Sequence, residues 1–117
     1  MNKNILDNWL TYVSNQDLES VVGLYANDAL LLGTFSNQIR TGQSQIREYF
    51  VDFLSKKPKA NLIESITHHL GDKVLIFNGF YNFEIQNADL VNARFTFVFK
   101  QYNDKIMIVS HHSSLIP

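Results

Sequence analysis

The side chains best suited to chemistry fall in a few short stretches: the histidine pairs His68-His69 and His111-His112, the serines Ser110, Ser113 and Ser114 around the second pair, and the polar cluster Thr34, Ser36 and Asn37. Tyr49, Arg94 and Thr96 stand apart from them. Histidine exchanges its proton near neutral pH, so a histidine set among hydroxyls points to proton movement around a small polar substrate. Adjacent strand residues face opposite sides of a sheet, so neither pair can normally hold one metal ion with both rings. A three-histidine zinc centre is therefore hard to assemble, while two histidines with a carboxylate or water stay open. No cofactor is expected, and the alternative is a divalent ion such as zinc or manganese. Alternation puts Val109, His111, Ser113 and Leu115 on one face of the last strand and Ser110, His112 and Ser114 on the other; a bulge would exchange Ser113 for Ser114.

Each of these groups also has a purely structural reading. His68-His69 can be ordinary strand residues, Thr34, Ser36 and Asn37 can form a turn, and Tyr49 can be a core tyrosine with its hydroxyl bonded. Arg94 shares a strand face with Thr96 and can pair with Glu64 or Glu84 as readily as bind an anion. Carboxylates do not cluster, so a paired-carboxylate mechanism has no support.

These residues need elements to position them. Ile5, Leu6, Trp9, Leu10 and Val13 recur at helical spacing, which predicts a first helix. Asp17 is a candidate N-cap for a second helix whose stripe is Leu18, Val21, Val22 and Tyr25 and which is expected to stop near Asn27. Ala29 to Leu32 reads as a short buried strand and Gly33 to Gly42 as an irregular or hairpin-like stretch. Thr41 then caps a third helix carrying Ile46, Phe50, Phe53 and Leu54, with Tyr49 beside the stripe and Pro58 barring continuation. From Ala60 the period changes to two, predicting strands over 60–70, 73–85, 90–102 and 105–114 in an antiparallel meander. Helices followed by consecutive strands is an α+β order. One domain spanning 1–117 is expected, since neither linker nor repeat interrupts the chain.

The 117 residues carry ten Lys plus Arg and eleven Asp plus Glu, a formal charge of −1. That balance offers no attraction for a phosphate backbone or an anionic membrane, so neither nucleic acid nor membrane is an expected partner. Cysteine is absent, which removes disulfides, thiolate metal sites and a cysteine nucleophile together. Met1 to Asp7 lacks the apolar core of a secretory leader, and the expected location is the cytoplasm. The second long strand is apolar on both sides, with Leu75, Phe77, Tyr81 and Phe83 on one face and Val74, Ile76 and Phe80 on the other. Helices can cover one face only, so the other is expected to meet a second subunit, in a homodimer or larger assembly.

The C-terminal run Ser110-His111-His112-Ser113-Ser114-Leu115-Ile116-Pro117 resembles the histidine-histidine-serine-serine-x-x-proline ending of the iota-class carbonic anhydrases and related bacterial proteins. Leu31-Leu32-Gly33-Thr34 with Ser36-Asn37, Tyr49-Phe50, and the run from Ala93 to Phe99 are similar to the same family. That family is related to the association domain of calcium/calmodulin-dependent protein kinase II, within the nuclear transport factor 2-like superfamily. The resemblance implies a cone-shaped, cystatin-like α+β fold, with three N-terminal helices packed on a curved antiparallel sheet and subunits pairing through that sheet. It further implies a pocket for carbon dioxide, bicarbonate or another small anion, with Thr34, Tyr49, His111 and Ser113 as catalytic residues and His111 as general base. Ser114, His112, Arg94 and Phe97 would complete the binding site. Two departures stand out: Ser110 replaces the first of three histidines common in the motif, and Gly33 stands where a proline is usual. The resemblance leaves two rival functions. One is a non-catalytic assembly module like the kinase association domain. The other is an enzyme on a larger apolar substrate, like the SnoaL-like polyketide cyclases and steroid isomerases, for which Phe80, Phe95 and Phe97 are candidate lining residues.

Overall fold

The computed structural model describes residues 4–117. The expected domain of 1–117 thus begins with residues that lie outside the described part. Two helices, α1 (Asn4–Ser14) and α2 (Leu18–Gly23), precede a strand pair, β1 (Tyr25–Leu32) and β2 (Ile39–Thr41). Helix α3 (Gly42–Ser55) follows, and then four long strands, β3 (Lys59–Leu70), β4 (Val74–Glu84), β5 (Val91–Tyr102) and β6 (Lys105–Leu115). They form one sheet in the order β2-β1-β6-β5-β4-β3.

Local signals account for most of these boundaries. The Asp17 carboxylate accepts a hydrogen bond from Ser20 N and caps α2 as expected. Thr41 sits at the cap of α3, but its hydroxyl makes no capping bond; its backbone N–H instead donates to Gln45 Oε1 at 2.9 Å. Gly71 has φ 68° and Asn103 φ 54°, the left-handed geometry that the tight turns between long strands require.

The second helix does not reach Asn27. It stops at Gly23, and Tyr25 begins β1 instead. Leu24 O accepts a hydrogen bond from Ile108 N at 2.8 Å, so pairing with β6 captures the backbone that would have continued the helix. Tyr25 remains buried, because helix stripe and strand face lead its ring to the same core. The sheet is also not wholly antiparallel, since β1 and β6 run parallel through Leu30↔Ser110, Leu31↔His111 and Leu32↔His112. Nor do all three helices precede the sheet, for β1 and β2 come between α2 and α3.

Helix α1 packs on β3 and α3 packs on β1 and β2, so helices meet both ends of the sheet and cover one face. A bulge at Ile63 between the Leu62↔Tyr81 and Glu64↔Phe80 pairs bends β3 over β4. Gly79 permits that approach: a Cβ there would lie 2.0 Å from Glu64 O. Between helices and sheet lies an aromatic core in which Trp9 stacks on Tyr81 at 5.6 Å and meets Phe97 edge-on at 5.3 Å. None of the described helices is long and apolar enough to cross a membrane.

Candidate functional site

Strand β6 supplies the centre of the site. The register with β5 slips between Val98 and Phe99, so Val109 forms a bulge that lets Ile108 and His111 both face the core. From Ser110 onward the alternation is unbroken, and His111 and Ser113 point inward, with 2% and 6% exposure, as strand phase predicts. β1 runs alongside, and where it ends Thr34 turns toward β6, bringing its Oγ1 to 2.5 Å from Ser113 Oγ.

From that pair a line of hydrogen bonds leads into the core. The Tyr81 hydroxyl donates to Ser113 Oγ at 2.5 Å and lies 3.2 Å from His111 Nε2. His111 Nδ1 is 2.8 Å from the Tyr25 hydroxyl, which accepts from Trp9 Nε1 at 3.0 Å. The imidazole is clamped by its surroundings, stacked on Phe97 at 3.8 Å and edge-on to Trp9 at 5.4 Å. Burial disfavours its charged form and, with a smaller contribution from nearby His112, lowers its pKa to about 3. Burial also raises both Tyr25 and Tyr81 well above the usual tyrosine value. The whole line is therefore neutral at physiological pH. A general base needs a pKa near its working pH, so the burial of His111 weighs against the base role expected for it.

The remaining expected residues are dispersed. Tyr49 is buried with its pKa raised by burial to about 12, and its hydroxyl accepts from Phe35 N at 3.4 Å and faces the Thr34 backbone rather than the Thr34–Ser113 hydroxyl pair. Its ring lies against Gly33, where a Cβ would come within 2.3 Å of it; the glycine in place of a proline is thus what gives Tyr49 its seat. Phe97 packs on His111 in the core. Phe80 lies on the opposite face of the sheet from Phe97, so Phe80, Phe95 and Phe97 do not bound one apolar cavity. Arg94, His112 and Ser114 face outward, with Arg94 Nε 3.4 Å from Ser114 Oγ. Together with Glu64, Asn78 and Thr96 they edge a groove of about 400 Å³ on the outer face.

A second recess, of about 350 Å³, opens at the rim where β1 and β6 end; Thr34, Ser113, Ser36, Asn37 and His112 line it. This is the site where the hydroxyl pair meets solvent. Among the described residues no three of His, Asp or Glu gather as metal ligands. Both ring nitrogens of His111 are engaged by tyrosine hydroxyls and His112 faces away, so the residues present do not fit a zinc or manganese ion. Trp9, Tyr25 and Tyr81 escape a reading of the sequence because each falls on an apolar stripe. Their one signal is that a buried indole N–H or phenol needs a partner.

A helix-backed, strongly bent sheet with a polar recess at its rim is the architecture of the nuclear transport factor 2-like, cystatin-like proteins. A protein of that class from Pseudomonas putida superposes with a TM-score of 0.83 at 13% identity, covering 96% of this chain and 82% of its own. A candidate dehydratase of the same class from Streptomyces avermitilis superposes at 0.83 and 12% identity, over 96% and 91% of the two chains. The profile of the calcium/calmodulin dependent protein kinase II association domain matches residues 3–117, and the chain belongs to that family. A Xanthomonas campestris protein described as a candidate association domain of this kind is 35% identical, with a TM-score of 0.91 over 96% of this chain and 83% of its own. No curated protein matches the sequence.

Proposed function

We propose that this domain is a self-associating module whose rim recess binds a small oxyanion of bicarbonate size. The observation that carries the reading is the outer face of the sheet, which none of the described helices covers. Ile66 and Phe80 are 59% and 42% exposed there, Leu70 lies on the same side, and Val74, Ile76 and Val98 are only half-buried between them. A contiguous apolar band of this kind marks an association surface, and membership of an association-domain family supports a second copy of the chain as its occupant. Sedimentation velocity tests it. A dimer or larger assembly is expected at micromolar protomer, reduced to monomer by Phe80→Glu with Ile66→Lys while circular dichroism is unchanged. A wild-type monomer at that concentration refutes the reading.

A second reading, reversible hydration of carbon dioxide, is favoured by the Thr34–Ser113 pair, which joins two of the residues named by the carbonic anhydrase resemblance. Stopped-flow hydration of purified protein, with Thr34→Ala and Ser113→Ala as controls, decides it. Activity lost in both variants supports catalysis, and an inactive wild type leaves the recess as a binding site. With His111 neutral and buried, such catalysis would need hydroxyl positioning rather than a histidine base.

A further inference from the structure

We infer that Trp9, Tyr25, His111 and Tyr81 act together as positioning residues that fix the direction of the hydrogen bonds as far as Ser113, so that the Thr34–Ser113 hydroxyl pair keeps one O–H donor for the recess and selects ligands by an acceptor oxygen. The inference deepens the ligand-binding reading above and rests on it.

The direction follows from the inner end. An indole N–H can only donate, so Trp9 Nε1 occupies the Tyr25 oxygen as acceptor. Among the described residues the Tyr25 hydrogen then has one acceptor within reach, His111 Nδ1 at 2.8 Å. Were Nδ1 protonated instead, as in the other neutral tautomer or in the imidazolium, that hydrogen would be orphaned in a fully buried place, a costly arrangement. His111 therefore carries its proton on Nε2 and donates to the Tyr81 oxygen. Tyr81 in turn, among the described residues, has only Ser113 Oγ to donate to. Ser113 Oγ thus accepts from Tyr81, and of the two hydroxyl hydrogens of Ser113 and Thr34 one closes the bond between them, in either direction. Among the described residues the pair has no other acceptor, so its second hydrogen is left for the recess, which both residues line. No carboxylate side chain among the described residues lines that recess to compete for it. The line moves no charge; it transmits an orientation set by one tryptophan to a hydroxyl at the surface.

The test has two readouts. Long-range ¹⁵N–¹H correlation of the His111 ring at neutral pH, in full-length protein without ligand, is expected to show Nε2 protonated and Nδ1 bare. A protonated Nδ1 overturns the inference. For the recess, acetate and acetamide are titrated as size-matched probes, the first without a donor and the second with an N–H₂ group. The wild type is expected to favour acetate by about tenfold, and Tyr81→Phe, which cuts the line, to bring the ratio to about twofold or less. Loss of packing alone would weaken both probes together and leave the ratio unchanged, which would refute the positioning role. Ser113→Ala, at the rim and structurally milder, is expected to lose the preference in the same way and serves if Tyr81→Phe does not fold. If the wild type binds neither probe, the ligand reading falls and takes the acceptor selectivity with it. The ring signal tells that outcome apart from a line running the other way.

Discussion

Acidification should destabilise this fold through His111 in particular. The imidazole has an ordinary pKa of 6.5 when exposed and about 3 in its buried position against Phe97 and Trp9. Below pH 6.5 the unfolded chain takes up a proton at this residue that the folded chain refuses. Stability is therefore unaffected by the group above that pH and falls as pH drops from 6.5 toward 3. Each full pH unit inside this window removes about 1.4 kcal/mol, so the loss between pH 7.5 and pH 4.5 is about 3 kcal/mol, a large part of a typical domain's stability. Urea unfolding followed by the emission of the single tryptophan, Trp9, at pH 7.5, 5.5 and 4.5 and fixed protomer concentration would measure it, with His111→Phe as reference. The variant leaves the Tyr25 and Tyr81 hydroxyls without their nitrogen partners and should be less stable at pH 7.5. It lacks the titration, however, so its deficit should shrink by about 3 kcal/mol on going to pH 4.5. Parallel curves for the two proteins would refute the argument, as would a His111 Hε1 resonance in the folded wild type that titrates above pH 5.

Other predictions concern packing at two glycines and the innermost donor. Gly79→Ala would push a methyl into the backbone of Glu64 and Ser65, and a loss of about 2–3 kcal/mol or more in urea unfolding is expected; an effect below about 0.5 kcal/mol would contradict the close approach. Gly33→Ala should displace the Tyr49 ring and break its bond from Phe35 N, seen as increased Tyr49 solvent exchange and a lower phenol pKa than about 12. Trp9→Phe keeps most of the stacking on Tyr81 but removes the N–H donor to Tyr25, and should cost about 1–2 kcal/mol in unfolding free energy, less than the 3–5 kcal/mol of Trp9→Ala.

The long strands were legible because period-two patterning and turn residues act locally: the expected 105–114 and the observed Lys105–Leu115 differ by one residue, and Gly71 and Asn103 adopt the turn geometry their types favour. The end of α2 was not legible, because Tyr25 suits a helix stripe as well as a strand, and only β6, far along the chain, decides between them. The parallel direction of β1 and β6 was hidden for a similar reason, since alternation records which face a residue takes and not which strand lies beside it. At the site, phase alone brought His111 and Ser113 to one face. The resemblance added Thr34, which the structure joins to Ser113, and Tyr49, which it does not. Trp9, Tyr25 and Tyr81 were concealed by their own suitability for the core, where their aromatic bodies satisfy the pattern and their polar tips leave no trace in it.

The position of β6 in the sheet bears on how the chain comes to fold. The last strand in sequence is central in space, with β1 on one side and β5 on the other. Until it arrives, the β1–β2 pair and the β3–β4–β5 meander have no strand joining them, and each exposes an edge ready to accept β6 or a strand from another chain. Joining them means closing contacts such as Tyr25 to His111, 86 residues apart, so the capture of β6 is expected to be the slow step of folding. The recess, shared by Thr34 and Ser113, would then be among the last features to form, and the interval before β6 docks would leave edges open to a wrong partner.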